Sequence, residues 1–223
     1  YKIEYLGNGI NVGIAAALNA GAKWSIENGF THLLTLDQDS YFQEKHLSNF
    51  KDLITQSDIS NVGIFCPNID NRGNLLTNTI ESFIKVPDSI TSGSIFPIET
   101  FSKCGFFEEE LFIDAVDYEF CYRIFSENGL STIIFPEIIL KHEVGYPTKI
   151  KFGFITDNYS AFRTYYIIRN HIVMWRRYPK MFQSSYKKTL LRVHIVHRVA
   201  KILIGEQDKF AKIKSIIVGI IDG

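Results

Sequence analysis

The stretch Thr31-His32-Leu33-Leu34-Thr35-Leu36-Asp37-Gln38-Asp39-Ser40 limits the possible folds more than any other part of the chain. A mostly apolar run leads straight into two carboxylates. Such a run, bounded by polar residues, predicts a buried strand of a parallel sheet. In open α/β sheets ligands bind just beyond the carboxyl ends of such strands. On extended backbone, residues two apart point to the same side, so Asp37 and Asp39 are expected to present their carboxylates together. Two such groups repel each other unless a cation lies between them. A hard divalent cation, Mg²⁺ or Mn²⁺, takes oxygen ligands and keeps positions open for phosphate oxygens. The plainer reading is an acidic turn that caps the next helix through Asp39 or Ser40. Asp-x-Asp alone does not choose between the two.

The remaining pieces read as alternating strands and helices, the pattern of an α/β fold. Lys2 to Leu6 reads as a strand, followed by the glycine-containing loop Gly7 to Gly13. A helix follows over about Ile14 to Asn28, with Ile14, Leu18 and Ala22 at helical spacing, Asn11 as a cap near its start and Gly29 as its stop. Glycines ahead of a helix can expose backbone N–H groups to a phosphate, or they can form a turn with no ligand. After the acidic stretch come a helix over about Glu44 to Gln56, a short strand Val62 to Cys66 ended by Pro67, and edge strands within Leu75 to Val86. The small-residue stretch Thr91 to Ser94 precedes a short helix, Ile98 to Cys104, that stops at Gly105.

Leu111 to Arg123 is the next dense stretch. Val116, Phe120 and Ile124 share one helical face, and Asp117 lies beside it near the helix start, where the dipole favours a carboxylate. Asp114 and Asp117 can serve as caps, with Glu119 and Arg123 as an i,i+4 surface pair. Alternatively, Asp117 is a general base at the floor of a cleft. Gly129 ends the helix, Leu130 to Phe135 forms a strand, and His142 follows it. A histidine beyond a strand end is a candidate ligand, since neutral imidazole accepts a borderline metal.

From Asp157 to Met174 the periodicity is helical, and two further segments, Tyr186 to Ile204 and Phe210 to Ile221, alternate aliphatic with basic residues. Net charge over the 223 residues is zero, which excludes a global nucleic-acid footprint. The charge is nonetheless uneven: residues 176–223 hold 11 Lys/Arg against three acids. Basic amphipathic helices with Trp175 and Tyr178 beside arginines suit an anionic membrane surface; a packed appendage or a partner helix is the alternative. No apolar run is long enough to span a membrane and no signal peptide is visible. Cys66, Cys104 and Cys121 lack metal-ligand spacing and fit buried thiols in a reducing compartment.

The order of these pieces is more specific than any one of them. Asn11-x-Gly13-Ile14-Ala15 with Asn19 and Gly21 comes first, then Leu36-Asp37-Gln38-Asp39-Ser40, Ser92-Gly93 and Gly105-Phe106-Phe107. Leu111-Phe112-Ile113-Asp114-x-x-Asp117-x-Glu119-x-x-x-Arg123, His142-x-x-Gly145 and Arg163-x-Tyr165-Tyr166-x-x-Arg169-Asn170 complete the set. Over roughly residues 5–175 this order resembles the bacterial rhamnosyltransferases among the family 2 inverting glycosyltransferases. The resemblance implies an α/β fold of the GT-A type, a Rossmann-like mixed-sheet sandwich over residues 1–155, with a basic helical appendage over 156–223. It also implies that the natural protein starts earlier, that the first strand unit is lacking here, and that donor binding by this stretch alone is therefore poor.

By resemblance, Asp39 ligates a metal that bridges the donor diphosphate, His142 completes the metal site, and Asp37 bears on the donor's ribose or sugar. Asn11, Gly13, Ser92 and Gly93 line the donor site, Asp117 is the base, and Asp114, Glu119 and Arg123 support the acceptor side. Val116 stands where the family commonly has an acid before the base. The implied partners are a nucleotide-sugar donor, with dTDP-rhamnose as the first expectation, a glycan or lipid-linked glycan acceptor, an anionic membrane surface and a second copy of the chain. The implied location is the cytoplasm, at the inner face of a bacterial membrane. The chemistry is compatible: inverting transfer is one displacement that needs a single base and a cation for the leaving diphosphate, not a carboxylate pair. The alternatives are a family 2 transferase with a hexosaminyl or galactosyl donor, a two-metal phosphatase, for which carboxylates and histidines are too few, and a binding or scaffold module.

Overall fold

The computed structural model describes residues 3–7, 9–56, 59–143, 148–149, 153, 155–182, 187–188 and 191–223. The chain divides into two compact units: Tyr1–Glu109 with Asp117–Val144, and Glu110–Val116 with Gly145–Gly223.

The first unit is α/β. Its strands are β1 (His32–Leu34), β2 (Ser40–Phe42), β3 (Val62–Asn71), β4 (Asn74–Leu75), β5 (Ile84–Val86), β6 (Ile95–Pro97) and β7 (Ser131–His142), and its helices are α1 (Ile14–Glu27), α2 (His46–Gln56), α3 (Ile98–Cys104) and α4 (Val116–Asn128). Among the described residues the strands form one mixed sheet in the order β1-β6-β3-β7-β2, with β4 paired to β3 and β5 to β7. β3 and β7 run parallel, and the other pairs are antiparallel. This mixed α/β sheet has the Rossmann-like GT-A character implied by the motif order. Phe50, Phe65, Ile95, Ile133, Phe135 and Ile138 form a core cluster beneath α2. Phe96, Phe101, Phe107 and Phe120 form an aromatic group, with the rings of Phe107 and Phe120 4.4 Å apart.

Several strand expectations are corrected. β1 is not a buried parallel strand: it has three residues, pairs antiparallel with β6 at the end of the strand order, and leaves His32 exposed. An apolar run carries no information on the direction of its partner. Among the described residues 3–7 there is no strand, and all are exposed; Lys2 lies outside the described residues. β3 does not stop at Pro67, and β7 runs through Pro136 as far as His142. The register between β3 and β7 shifts between Pro67 and Asn68, so the missing proline donors fall at an irregularity, where proline is tolerated. Asn68 Nδ2 donates to the Pro136 carbonyl there at 3.0 Å.

α1 buries Ala22 and half-buries Leu18 as their spacing suggests, but its inward face is shifted away from Ile14. Ala15, Asn19, Ala22 and Ser25 are inward, whereas Ile14 is exposed. Asn19 is the reason: its amide pairs with both backbone groups of Phe107, at 2.8 and 2.9 Å, as a strand neighbour would. α3 matches its expected span, and α4 ends before Gly129 as expected, with Gly129 at a φ of 66°. The three cysteines are free, and burial pushes the Cys66 thiol up to about 11.

In the second unit β8 (Thr148–Lys149) pairs with β9 (Ile155–Thr156), and α5 (Ala161–Arg177) starts at Ser160, whose hydroxyl accepts from Arg163 N. Leu191–His197 is a π-helix that leads into α6 (Arg198–Gly205), and α7 (Lys209–Asp222) follows. Ile168, Ile202 and Ile216 form the shared core of α5, α6 and α7. Glu206 is buried between Arg198, at 2.6 Å, and Lys212, at 2.9 Å, with Thr156 as a third partner. Burial alone would raise its pKa, but these hydrogen bonds and charges hold it below the ordinary carboxylate value. Among the described residues no helix is long and apolar enough to cross a membrane.

Candidate active site

The acidic stretch leaves β1 as a turn rather than as extended strand: Ser40 N donates to the Asp37 carbonyl at 3.1 Å. The stretch Thr91–Ser94 holds this turn in place. Thr35 N donates to Ser94 O at 3.1 Å, Gly93 N to Thr35 O at 2.7 Å, and the Thr35 hydroxyl to Thr91 O at 2.5 Å. Gly93 has a φ of 76°, and a Cβ there would lie 2.6 Å from Leu140 and 2.9 Å from Pro67. Only glycine lets the loop pack this close to the sheet.

A chain of hydroxyls then joins the turn to β7. Asp37 N donates to Ser92 Oγ at 3.1 Å, Ser92 Oγ donates to Ser40 Oγ at 2.8 Å, and Ser40 Oγ lies 2.5 Å from His142 Nδ1. Ser40 and His142 are opposite each other in the β2–β7 register. His142 Nδ1 also lies 3.5 Å from an Asp39 oxygen. One ligating atom each from Asp37, Asp39 and His142 therefore falls within 4.8 Å of the others.

Two carboxylates and an imidazole fit a divalent cation that accepts both oxygen and nitrogen, Mn²⁺ in particular, with Mg²⁺ as the harder alternative. Burial raises the Asp37 pKa above its ordinary value; His142 works against that rise and the Asp39 carboxylate adds to it. A cation in the cluster would relieve both the burial cost and the repulsion.

The other predicted site residues have local partners of their own. Asn11 Oδ1 accepts from Gly13 N at 3.1 Å, and Gly13, with a φ of 87°, is the N-cap residue just before α1. Asp117 is half-buried in the first turn of α4, and its Oδ1 accepts from Tyr118 N. Glu119 and Arg123 are not a surface pair, since Glu119 is fully buried. Arg123 grips it with two nitrogens, at 2.9 and 3.1 Å, and donates to the carbonyls of Cys104 and Phe106. That pair fastens the turn after α3 to α4. Asp114 belongs to the second unit, where Arg163 binds both its oxygens. Gly145 lies outside the described residues. Sequence reasoning missed the linking role of Ser40 and the inward face of Asn19. A serine directly after Asp-x-Asp was visible, but its partner is 102 positions away.

The mixed sheet is consistent with a Rossmann-like GT-A fold, and the sequence is similar to that of a rhamnosyltransferase. The similarity is to the dTDP-rhamnosyl transferase RfbF of Shigella flexneri. It amounts to 28% identity over 239 residues, spanning all of this chain and 78% of that protein. No family model matches the chain.

Proposed function

We propose that this protein transfers rhamnose from dTDP-rhamnose to a cell-surface polysaccharide or lipid-linked glycan, with inversion at the anomeric carbon and with a divalent cation at Asp37, Asp39 and His142. One observation carries the reading: two carboxylates and an imidazole, contributed by a turn and by a strand end about a hundred residues on, meet in one cluster. The sugar and nucleotide are taken from the name of the relative.

A bound Mn²⁺ or Mg²⁺ would take up the negative charge that develops on the leaving diphosphate. Asp37 and Asp39 anchor the donor end, and Ser40 orients His142. Asp117 accepts the proton of the acceptor hydroxyl as its oxygen attacks the anomeric carbon. The new C–O bond forms as the bond to the diphosphate breaks on the opposite face, and no covalent enzyme intermediate is required.

The same reading puts the protein at the inner face of the bacterial membrane. Lys209, Lys214 and Arg192 are exposed beside Phe210, Ile217 and Val196. This pairing of cations and apolar groups suits anionic lipid.

The test is a donor screen with dTDP-, UDP- and GDP-sugars in the presence of Mn²⁺, followed by release of the nucleoside diphosphate. Release from dTDP-rhamnose is expected, and Asp117→Asn should lower it by roughly 10²–10⁴-fold with donor binding retained. Release from another sugar nucleotide alone would reassign the donor. Release from none would refute the enzyme reading.

A further inference from the structure

The motif Arg163-x-Tyr165-Tyr166-x-x-Arg169-Asn170 takes no part in the chemistry above. Arg163, Tyr166 and Asn170 are three and four residues apart, so they share one face of α5. That face meets the segment Glu110–Val116 of the same unit.

This segment is conformationally unusual. Phe112, Asp114 and Ala115 have φ values of 60°, 63° and 66°. Non-glycine residues are uncommon in the left-handed region, and they persist there only when their surroundings over-determine them. Each of the three has a specific restraint or is packed inside. The Phe112 ring stacks on Tyr166 at 5.2 Å and meets Phe162 edge-on at 5.4 Å. The Asp114 carboxylate takes a two-pronged bond from Arg163, at 3.0 and 3.1 Å, a geometry that fixes direction as well as distance. Ala115 is buried.

Asn170 is at the centre and is fully buried. Its Nδ2 lies 2.8 Å from each of three carbonyls, those of Leu111, Ile113 and Asp114. An amide nitrogen carries two hydrogens, so one is shared between two of the carbonyls. Arg169 Nη1 donates to Asn170 Oδ1 at 3.0 Å, which turns the nitrogen toward the segment, and to Glu110 O at 2.8 Å. The residue that follows this segment along the chain is Asp117.

We propose that Asn170 is a positioning residue for Asp117: by holding the carbonyls of residues 111, 113 and 114 it fixes the path by which the chain enters α4, and hence the direction of the carboxylate that takes the acceptor proton. The proposal rests on the reading of Asp117 as the base. It explains why an asparagine is needed. Aspartate would turn a carboxylate oxygen toward carbonyl oxygens, alanine would leave all three without this donor, and glutamine is one methylene too long.

The test compares wild type, Asp117→Asn, Asn170→Ala and the double variant Asn170→Ala/Ala115→Gly in the transfer assay, together with melting temperatures. Asn170→Ala should lower kcat by roughly 10²-fold, the cost of a misplacement of about 1 Å at the chemistry, with KM for the donor unchanged. Glycine accommodates the left-handed φ at position 115 without strain, so the double variant should recover melting temperature but not kcat. It is also the variant that stays folded if Asn170→Ala alone does not. A kcat within about threefold of wild type in either variant, or one that returns together with the melting temperature, would overturn the inference. An active wild type that Asp117→Asn abolishes, beside an active Asn170→Ala, sinks the positioning role alone. Full activity in Asp117→Asn sinks the base reading and this inference with it.

Discussion

At Gly93 a single missing methyl group decides how the acidic turn is held. A Cβ there would overlap Leu140, which is itself fully buried, and would sit on left-handed backbone. Gly93→Ala should therefore cost more than the 1–3 kcal/mol, roughly, of simple overpacking, since the positive φ adds to it. Denaturant unfolding at constant m-value measures this, and a loss of under about 0.5 kcal/mol would mean that the loop moves aside freely. Asp37 gives a prediction of the opposite sign. Its carboxyl is held above the ordinary value of 3.8 by burial and by Asp39. The folded state thus keeps a proton that the unfolded chain has released, so Asp37 contributes stability that is full below pH 3.8 and lost as pH rises through the raised value. In chelator, Asp37→Asn should melt above wild type at pH 7, with the gap closing toward pH 4. A variant that melts lower at pH 7 would show that the carboxylate is stabilising without a cation. The carboxylates themselves were legible in the sequence because an apolar run ended on them. Ser40 as the link to His142 was not, because only the β2–β7 register brings the two together.

Elements were legible where local signals act alone. Helices α3 and α4 stop at Gly105 and Gly129, which take positive φ at those points. Strands were less so: Pro67 and Pro136 look like stops, yet both lie inside strands, at a register shift where Asn68 Nδ2 satisfies the Pro136 carbonyl. The direction of β1 depends on β6, more than 60 positions downstream, and no local pattern encodes it. In the basic region the periodicity located helices but not which faces are covered. Ile213 and Ile216 of α7 pack with Ile168, and Lys212 is spent on Glu206. Phe210, Ile217 and Ile221 stay 86%, 54% and 73% exposed. They are seven and four residues apart, one outward stripe between Lys209 and Lys214. Flotation with anionic vesicles should occur at low salt and weaken as salt rises, because surface attraction is screened over about 8 Å at physiological ionic strength. Phe210→Ser/Ile217→Ser should reduce flotation and leave the melting temperature intact, since both residues lie outside the Ile168 core. Unchanged flotation of that variant, or none by the wild type, would favour a helical region that is packed without touching lipid.

For the molecule as a whole, the motif order carried the α/β GT-A character, and the distant relative is consistent with it over the entire chain. The pattern could not supply the distances that turn three scattered residues into a cation site. They arise because Thr91–Ser94 zips onto the acidic turn while β2 pairs with the end of β7. Ser40 is the outer partner of His142, a position whose loss typically lowers metal affinity by roughly 10–100-fold. The most direct measurement is calorimetry of Mn²⁺ with dTDP on wild type, Asp39→Ala, Ser40→Ala and Glu44→Ala. Nucleotide binding should require Mn²⁺, be lost in Asp39→Ala, weaken in Ser40→Ala by about that factor, and persist in Glu44→Ala, whose carboxylate lies outside the cluster. Nucleotide binding that is the same with chelator, or that falls equally in Asp39→Ala and Glu44→Ala, would contradict a cation held by Asp37, Asp39 and His142.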